Sequence, residues 1–207
     1  MPEQYSKFQK IRWGALFLIA LGIAGLALLQ RHDNPGASLP VLGALPEFSL
    51  RAEDGRTVTR GDFVGRIVVT DFIFTHCAGT CPVMTSQMAD LQKTFANEPG
   101  IMLVSMSVDP ERDTPQRLQQ FAMSAGAKEG QWIFLTGGKT DVQHLARNGF
   151  HLGVAETGGS EAEPIIHSAK FVLLDRQARI RGYYDGTEDE PVRKLAGDIR
   201  TLLIEKQ

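Results

Sequence analysis

The chain has 207 residues and a formal net charge of −2 at pH 7. A mildly acidic chain of this kind lacks the basic surface that binding to nucleic acid requires. Its two cysteines are only four positions apart, which excludes a domain held together by several disulfides. The two thiols therefore form a local chemical site, or they are neighbours by coincidence.

An uncharged apolar stretch near the N-terminus predicts a membrane anchor. Trp13–Leu29 contains 17 residues without a charge, and a helix needs about 17–25 such residues to cross the hydrocarbon core. The basic side chains of residues 1–12 precede this stretch and are expected to stay in the cytoplasm. We therefore predict a cytoplasmic segment at 1–12, a transmembrane helix at 13–30 and a linker with several prolines and glycines at 31–46.

The alternative for this stretch is a cleaved signal peptide. Such a peptide has an apolar region of about 7–15 residues, followed by a cleavage site of small residues. Here the small residues of Ala24–Ala27 lie inside the apolar stretch, which favours an uncleaved anchor. The leader lacks the arginine- and serine-rich character of a transit peptide. We therefore expect a bacterial inner-membrane protein with its domain in the periplasm, or in the mitochondrial intermembrane space if the protein is eukaryotic.

Residues 47–207 are expected to form one α/β domain. Strand-like and helix-like segments alternate, and a terminal pair of strands and a helix follow them, which predicts a mixed sheet flanked by helices. A thioredoxin-like fold fits this order. In chain order the predicted elements are a hairpin of Glu47–Leu50 and Thr57–Thr59, strand Arg66–Phe74, helix Pro82–Phe95, strand Ile101–Val108, a helix from Thr114 to Ala125, strand Trp132–Leu135, helix Asp141–Asn148, strands Ala169–Leu174 and Ile180–Tyr184, and helix Val192–Ile204.

Cys77 and Cys81 lie between a predicted strand and a predicted helix. A helix N-terminus favours the thiolate over the thiol, and the thiolate is both the nucleophile and the metal ligand. An offset of four residues brings two side chains to the same face of a helix. The pair can therefore bracket a metal ion or close a disulfide, and the spacing alone leaves both roles open.

The ligand set favours copper over other soft or borderline metals. Paired thiolates suit Cu(I), zinc and iron–sulfur clusters. Structural zinc takes four protein ligands and an ordinary iron–sulfur cluster takes four cysteines, more than two cysteines supply. Copper accepts fewer ligands, and one imidazole would complete the set with Cys77 and Cys81.

The chain has five histidines that are candidates for this third ligand. His32 flanks the predicted anchor, His144 lies in a predicted helix and His151 in a loop. His76 directly precedes the first cysteine, but neighbouring side chains point apart in an extended chain. His167, at the start of a buried strand, would enter the site from a distant part of the chain. The residues themselves leave the choice open.

Four segments resemble the Sco/SenC family in their order and spacing, and the resemblance covers about residues 45–205. The Cys-x3-Cys pair with a distant histidine is its most specific part. The segments are FTHCAGTCP (74–82), SMSVDPERDTP (105–115), IIHSAKFVLLD (165–175) and YYDGT (183–187).

The resemblance implies a thioredoxin-like domain on one N-terminal anchor and one copper ion per chain, as Cu(I) or Cu(II). It implies Cys77, Cys81 and His167 as the ligands. It also places Asp109 near the metal as a carboxylate that is not a ligand, although Asp109 before a proline also suits a simple turn. Two departures from the family pattern leave the ligands intact: Ala78 stands where a proline is common, and no aspartate adjoins the histidine.

The family role implied is assembly of the binuclear copper (CuA) centre of cytochrome c oxidase. The implied partners are subunit II of the oxidase or another periplasmic cuproprotein, with an upstream copper donor or thiol reductant. The protein would deliver copper, reduce its target's cysteines, or do both, and a copper carrier of this kind is not an enzyme.

Two rival functions use the same thiols. In a membrane-anchored thiol–disulfide oxidoreductase, Cys77 would attack a target disulfide and Cys81 would resolve the mixed disulfide. A peroxide-reducing enzyme of the peroxiredoxin type would have a threonine three residues before its reactive cysteine, where this chain has Phe74. The second rival is therefore disfavoured, and the choice between copper and redox chemistry stays open.

Overall fold

The structure is a computed structural model that describes residues 38–77, 79–152 and 168–205. The predicted anchor at 13–30 and the predicted ligand His167 lie outside the described residues. Among the residues inside these ranges, no helix is both long enough and apolar enough to cross a membrane.

The described strands form one mixed sheet. Its central strands β4, β5 and β6 are mutually parallel, and every other neighbouring pair is antiparallel. The order across the sheet is β1-β8-β7-β4-β5-β6-β2-β3. The strands are β1 Gly43–Ala44, β2 Ser49–Ala52, β3 Thr57–Thr59, β4 Ile67–Ile73, β5 Ile101–Ser107, β6 Trp132–Thr136, β7 Lys170–Leu174 and β8 Arg179–Asp185.

Helices connect and cover these strands. The α-helices in the described ranges are α1 Cys81–Thr94, α2 Pro115–Ala125, α3 Lys139–His144 and α4 Asp189–Ile204. A short π-helical segment, Leu145–Gly149, continues α3. Helix α2 begins with Thr114 as its N-cap and ends at Gly126, whose φ of 70° suits a residue without a side chain.

The predicted order of strands and helices is confirmed, and the domain has the expected thioredoxin-like mixed sheet. One difference lies in the stretch 31–46, predicted as a linker. Gly43 and Ala44 of that stretch form β1 and pair with β8, and Leu45 is buried in the core. A strand of two residues is too short to show an alternating pattern, so no sequence pattern indicates β1.

The two central strands determine where the functional residues meet. All seven residues of β4 and all seven of β5 are buried, so both faces of the sheet are covered there. Ile73 pairs with Ser107 at the carboxyl ends of these strands. Because parallel strands end at one edge of a sheet, the loops that follow them lie side by side. The loop after β4 carries both cysteines, and the loop after β5 carries Asp109.

Candidate metal and thiol site

The two cysteines lie in a short connection between β4 and α1. The chain turns immediately after β4, where the Cys77 N–H donates a hydrogen bond of 3.2 Å to the Phe74 carbonyl. Cys81 is the first residue of α1, with Pro82 behind it in the first turn, where proline needs no N–H partner. Both thiols are free. Cys77 is half-buried, while Cys81 is only 5% exposed.

The environment of Cys81 opposes ionisation. Burial, and after it the hydrogen bond with the Cys77 side chain, raise the pKa of the Cys81 thiol to about 12. The charges of Cys77 and Asp71 act in the same direction, and only a backbone hydrogen bond from Phe74 opposes them. The expectation that the helix N-terminus favours a thiolate is therefore wrong for Cys81. At neutral pH Cys81 is a thiol, in contact with the more accessible Cys77.

A buried carboxylate fixes the start of the cysteine loop. Asp113 is fully buried and accepts hydrogen bonds from the Thr75 N–H at 3.0 Å and from the Thr75 hydroxyl at 2.6 Å. It also accepts a hydrogen bond of 2.6 Å from the Ser107 hydroxyl at the end of β5. Asp113 thus ties the loop that carries the thiols to the neighbouring strand.

The sequence pattern predicted a helix from Thr114, and it did not reveal this role of Asp113, the residue before that start. The helix start itself is correct, because the Thr114 hydroxyl accepts a hydrogen bond of 3.3 Å from the Arg117 N–H. Since Thr114 is already the cap, an aspartate beside it has no capping function. That redundancy was the one signal in the sequence that Asp113 serves another purpose.

Asp109 forms the turn that follows β5. Its carbonyl accepts hydrogen bonds from the N–H groups of Arg112 and Asp113, and its own N–H donates to the Ser107 hydroxyl at 3.1 Å. Its carboxylate lies 3.4 Å from the Arg112 guanidinium. In the described part of the chain, no hydrogen bond joins Asp109 to either cysteine. The turn is therefore observed, and a place for Asp109 beside a metal stays a prediction.

The three histidines within the described ranges lie in different parts of the fold. His76 is exposed in the turn before Cys77. His144 is exposed at the end of α3, and the His151 ring packs against Gly43 of β1. His32 and His167 lie outside the described residues, so the assignment of His167 as a ligand stays a prediction. Within the described ranges, no three His, Cys, Asp or Glu residues form a group that could hold a metal ion.

A groove beside the cysteines opens the site to other molecules. Its volume is about 260 Å³, and its walls are mostly apolar. Residues of the cysteine loop and α1 form one side of the groove, and residues of α2 form the other. The lining residues are Phe74, Cys77, Cys81, Pro82, Thr85, Phe121, Ser124 and Ala125.

A thioredoxin-like domain with two thiols in contact after a central strand belongs to the class of thiol and soft-metal proteins. Comparison with known sequences narrows this class. The sequence model of the SCO1/SenC family matches residues 42–203, so the chain belongs to that family.

Individual relatives agree with this assignment. The chain is 32% identical to the SCO1 protein homolog of Bacillus subtilis over 74% of its own length and 80% of the relative. It resembles the solved structure of BsSco, described as a member of the Sco family of cytochrome c oxidase assembly proteins with a disulfide switch. The TM-score is 0.71 at 30% identity, covering 82% of this chain and 100% of that one. It also resembles copper-bound ScoI of Arabidopsis thaliana, with a TM-score of 0.64 at 26% identity, covering 76% and 98% of the two chains.

Proposed function

We propose that this protein is a copper-binding assembly factor for the CuA site of cytochrome c oxidase. It binds one copper ion, as Cu(I) or Cu(II), through Cys77, Cys81 and His167. It delivers the copper to subunit II or another periplasmic cuproprotein, reduces that partner's cysteines, or does both. The observation that carries this proposal is the contact between two free thiols at the end of a central strand, in a chain of the SCO1/SenC family.

The surroundings of the thiols suit a copper ion as cargo. Two sulfurs in contact are a soft donor pair, and the burial of Cys81 limits competition from water. Each thiol must release its proton before it binds a metal. The half-buried Cys77 is reached first, and Cys81 follows once the metal offsets the cost of its buried charge. Release would proceed as ligand exchange, in which a partner's cysteines replace these ligands one by one.

The proposal is tested by the copper stoichiometry of the purified full chain. We expect one copper ion per chain in the wild type and a loss of bound copper in Cys77→Ser, Cys81→Ser and His167→Ala. His144→Ala is the matched control, because His144 is exposed on α3 and distant in sequence from the cysteines. Full stoichiometry in His167→Ala would remove His167 from the ligand set, and absence of copper from the wild type would contradict the proposed function.

A second candidate function, thiol–disulfide exchange, is favoured by the unequal burial of the two thiols. The accessible Cys77 sulfur attacks a target disulfide, forming a mixed disulfide and releasing one target thiol. The Cys81 sulfur then attacks Cys77, which releases the second target thiol and leaves an internal disulfide that a cellular dithiol reductant must reduce. If this activity dominates, His167→Ala reduces a model disulfide at the wild-type rate, whereas Cys77→Ser is inactive.

The same proposal includes the location of the protein. An anchor at 13–30 would hold the domain in the periplasm of a bacterium, or in the intermembrane space if the protein is mitochondrial. The support is the uncharged run of 17 residues and the basic segment that precedes it.

A further inference from the structure

The Thr75 hydroxyl, two residues before Cys77, has three polar neighbours. Its oxygen lies 2.6 Å from an Asp113 carboxylate oxygen, 3.3 Å from Arg117 Nε and 3.2 Å from His76 Nδ1. A hydroxyl has one hydrogen to donate and two lone pairs to accept with. The three neighbours therefore use its full hydrogen-bonding capacity, and each must take a definite role.

These roles determine the tautomer of His76. An ionised carboxylate only accepts, so the Thr75 hydrogen points to Asp113. Arg117 Nε only donates, so it occupies one lone pair of the hydroxyl. His76 Nδ1 faces the remaining lone pair and must carry a hydrogen. In the neutral imidazole, the free lone pair is then on Nε2.

The position of His76 makes that lone pair accessible. The side chain is exposed, and the chain around it is a turn closed by the Cys77 N–H and the Phe74 carbonyl. Neighbouring side chains point apart in an extended chain, but His76 lies in a turn, so this rule does not separate it from Cys77. An imidazole whose Nδ1–H is held by an oxygen, with Nε2 left free, is how proteins orient histidine to bind a metal.

We propose that His76 is an outer copper ligand, which takes copper through Nε2 at the surface and exchanges it with Cys77. The inference rests on the proposed copper-binding function and adds a route by which the metal reaches and leaves the thiols. Each step is a ligand substitution without electron transfer. A copper–nitrogen bond forms as a bond to the donor breaks. A copper–sulfur bond to Cys77 then replaces it, and the thiol proton passes to water.

The tautomer is tested first, on the full chain labelled with ¹⁵N. We expect the Nδ1 resonance of His76 to have the shift of a protonated ring nitrogen, and Nε2 that of an unprotonated one. His144 provides the reference for an exposed imidazole without this anchor. The opposite assignment for His76, with the hydrogen on Nε2, would overturn the proposal, because the outward nitrogen would then have no free lone pair.

The transfer role is tested by the rate at which the copper-loaded chain releases Cu(I) to a competing chelator. His76→Ala should still bind one copper ion per chain but exchange it at least fivefold more slowly than the wild type. His144→Ala should exchange at the wild-type rate. Both side chains are exposed, so neither substitution endangers folding.

The other outcomes identify which idea has failed. Equal rates in His76→Ala and the wild type would overturn the role of His76 while leaving the proposed function intact. Loss of stoichiometric copper in His76→Ala would also overturn it, because His76 would then be a permanent ligand. A wild-type chain that binds no copper would contradict the proposed function itself, and the role of His76 with it.

Discussion

At the scale of single residues, the most unusual group is a carboxyl in the middle of the sheet. Asp71 of β4 is fully buried, and among the described residues neither of its oxygens has a close hydrogen-bond partner. Burial raises the pKa of Asp71 to about 7, although the nearby Ser105 hydroxyl offsets part of the effect. An aspartate in an unfolded chain has a pKa of about 3.9, so folding takes up a proton between these two values.

Because folding raises the pKa of Asp71, the free energy of unfolding depends on pH. A carboxyl whose pKa is raised in the folded state contributes fully to the stability of that state below about pH 4. This contribution is lost as the pH rises through 7. Asp71→Asn removes the charge without changing the size of the side chain. We expect this variant to be more stable than the wild type by about 4 kcal/mol at pH 8, and nearly equally stable at pH 4.

The measurement is urea unfolding at pH 2, 4, 6 and 8. Asp185→Asn is the control with the opposite sign, because hydrogen bonds from Thr187 and Lys170 lower the pKa of Asp185 to about 2. In the wild type, the Asp185 carboxylate stabilises the folded state above about pH 4, and this stabilisation is lost as the pH falls through 2. A pH-independent difference between Asp71→Asn and the wild type would show that the buried carboxyl does not titrate in this range.

Asp113 gives a second prediction at this scale. Removing its carboxylate in Asp113→Ala leaves three donors of Thr75 and Ser107 without an acceptor. We expect a loss of about 2–4 kcal/mol in the free energy of unfolding, together with weaker copper binding because the cysteine loop loses its anchor. Asp90→Ala, which breaks an exposed ion pair with Lys93, should change the free energy by less than about 0.5 kcal/mol. Matching unfolding curves for the two variants would refute the anchoring role.

At the scale of elements, one arginine holds the edge strand β1 in place. Arg181 of β8 is 3% exposed. Its guanidinium donates to the carbonyls of Leu39 and Pro40, just before β1. It also pairs with Asp175 at 2.9 Å and with Glu205, beyond α4, at 3.0 Å. Two distant parts of the chain are thus joined at a single side chain.

Arg181→Met keeps an unbranched apolar side chain, but it removes the guanidinium and these contacts. We expect a loss of about 3–5 kcal/mol in the free energy of unfolding, since the buried carboxylate of Asp175 loses one of its partners. Hydrogen exchange should accelerate at the Leu42 and Leu45 amides, which bond to β8 and to the turn before it. Arg56→Met, in an exposed pair with Asp54, serves as the control and should leave both measurements nearly unchanged. Unchanged exchange at β1 in Arg181→Met would show that the strand does not depend on Arg181.

At the scale of the whole molecule, the sequence predicts local order better than it predicts distant contacts. The predicted strands Arg66–Phe74 and Ile101–Val108 and the predicted helix start at Thr114 agree closely with β4, β5 and α2. The bond between Asp113 and Thr75 spans 38 positions, so no local pattern reveals it. The ionisation of Cys81 was predicted with the wrong sign because the helix dipole is visible in the sequence, whereas burial depends on the packed fold. The tautomer of His76 needed the coordinates of three neighbours.

The location of the whole molecule depends on the N-terminal stretch, which gives the last prediction. Trp13–Leu29 is uncharged and about as long as the shortest membrane-crossing helices. A charge at the centre of such a helix costs about 2.5–3.5 kcal/mol on insertion. We therefore expect the wild type to stay in the membrane fraction after alkaline carbonate extraction, and Leu21→Arg to leave it.

Gln30→Arg is the matched control for Leu21→Arg, because a long basic side chain at the end of the stretch can extend into the polar interface. This variant should remain in the membrane fraction like the wild type. The mass of the extracted chain decides between an anchor and a signal peptide. A mass that includes residues 1–12 means that the stretch still holds the domain at the membrane, where a membrane-bound oxidase can be reached by diffusion in two dimensions. A soluble product that begins after Leu29 would mean instead that the stretch only exports the domain, and that the copper site meets its partner from solution.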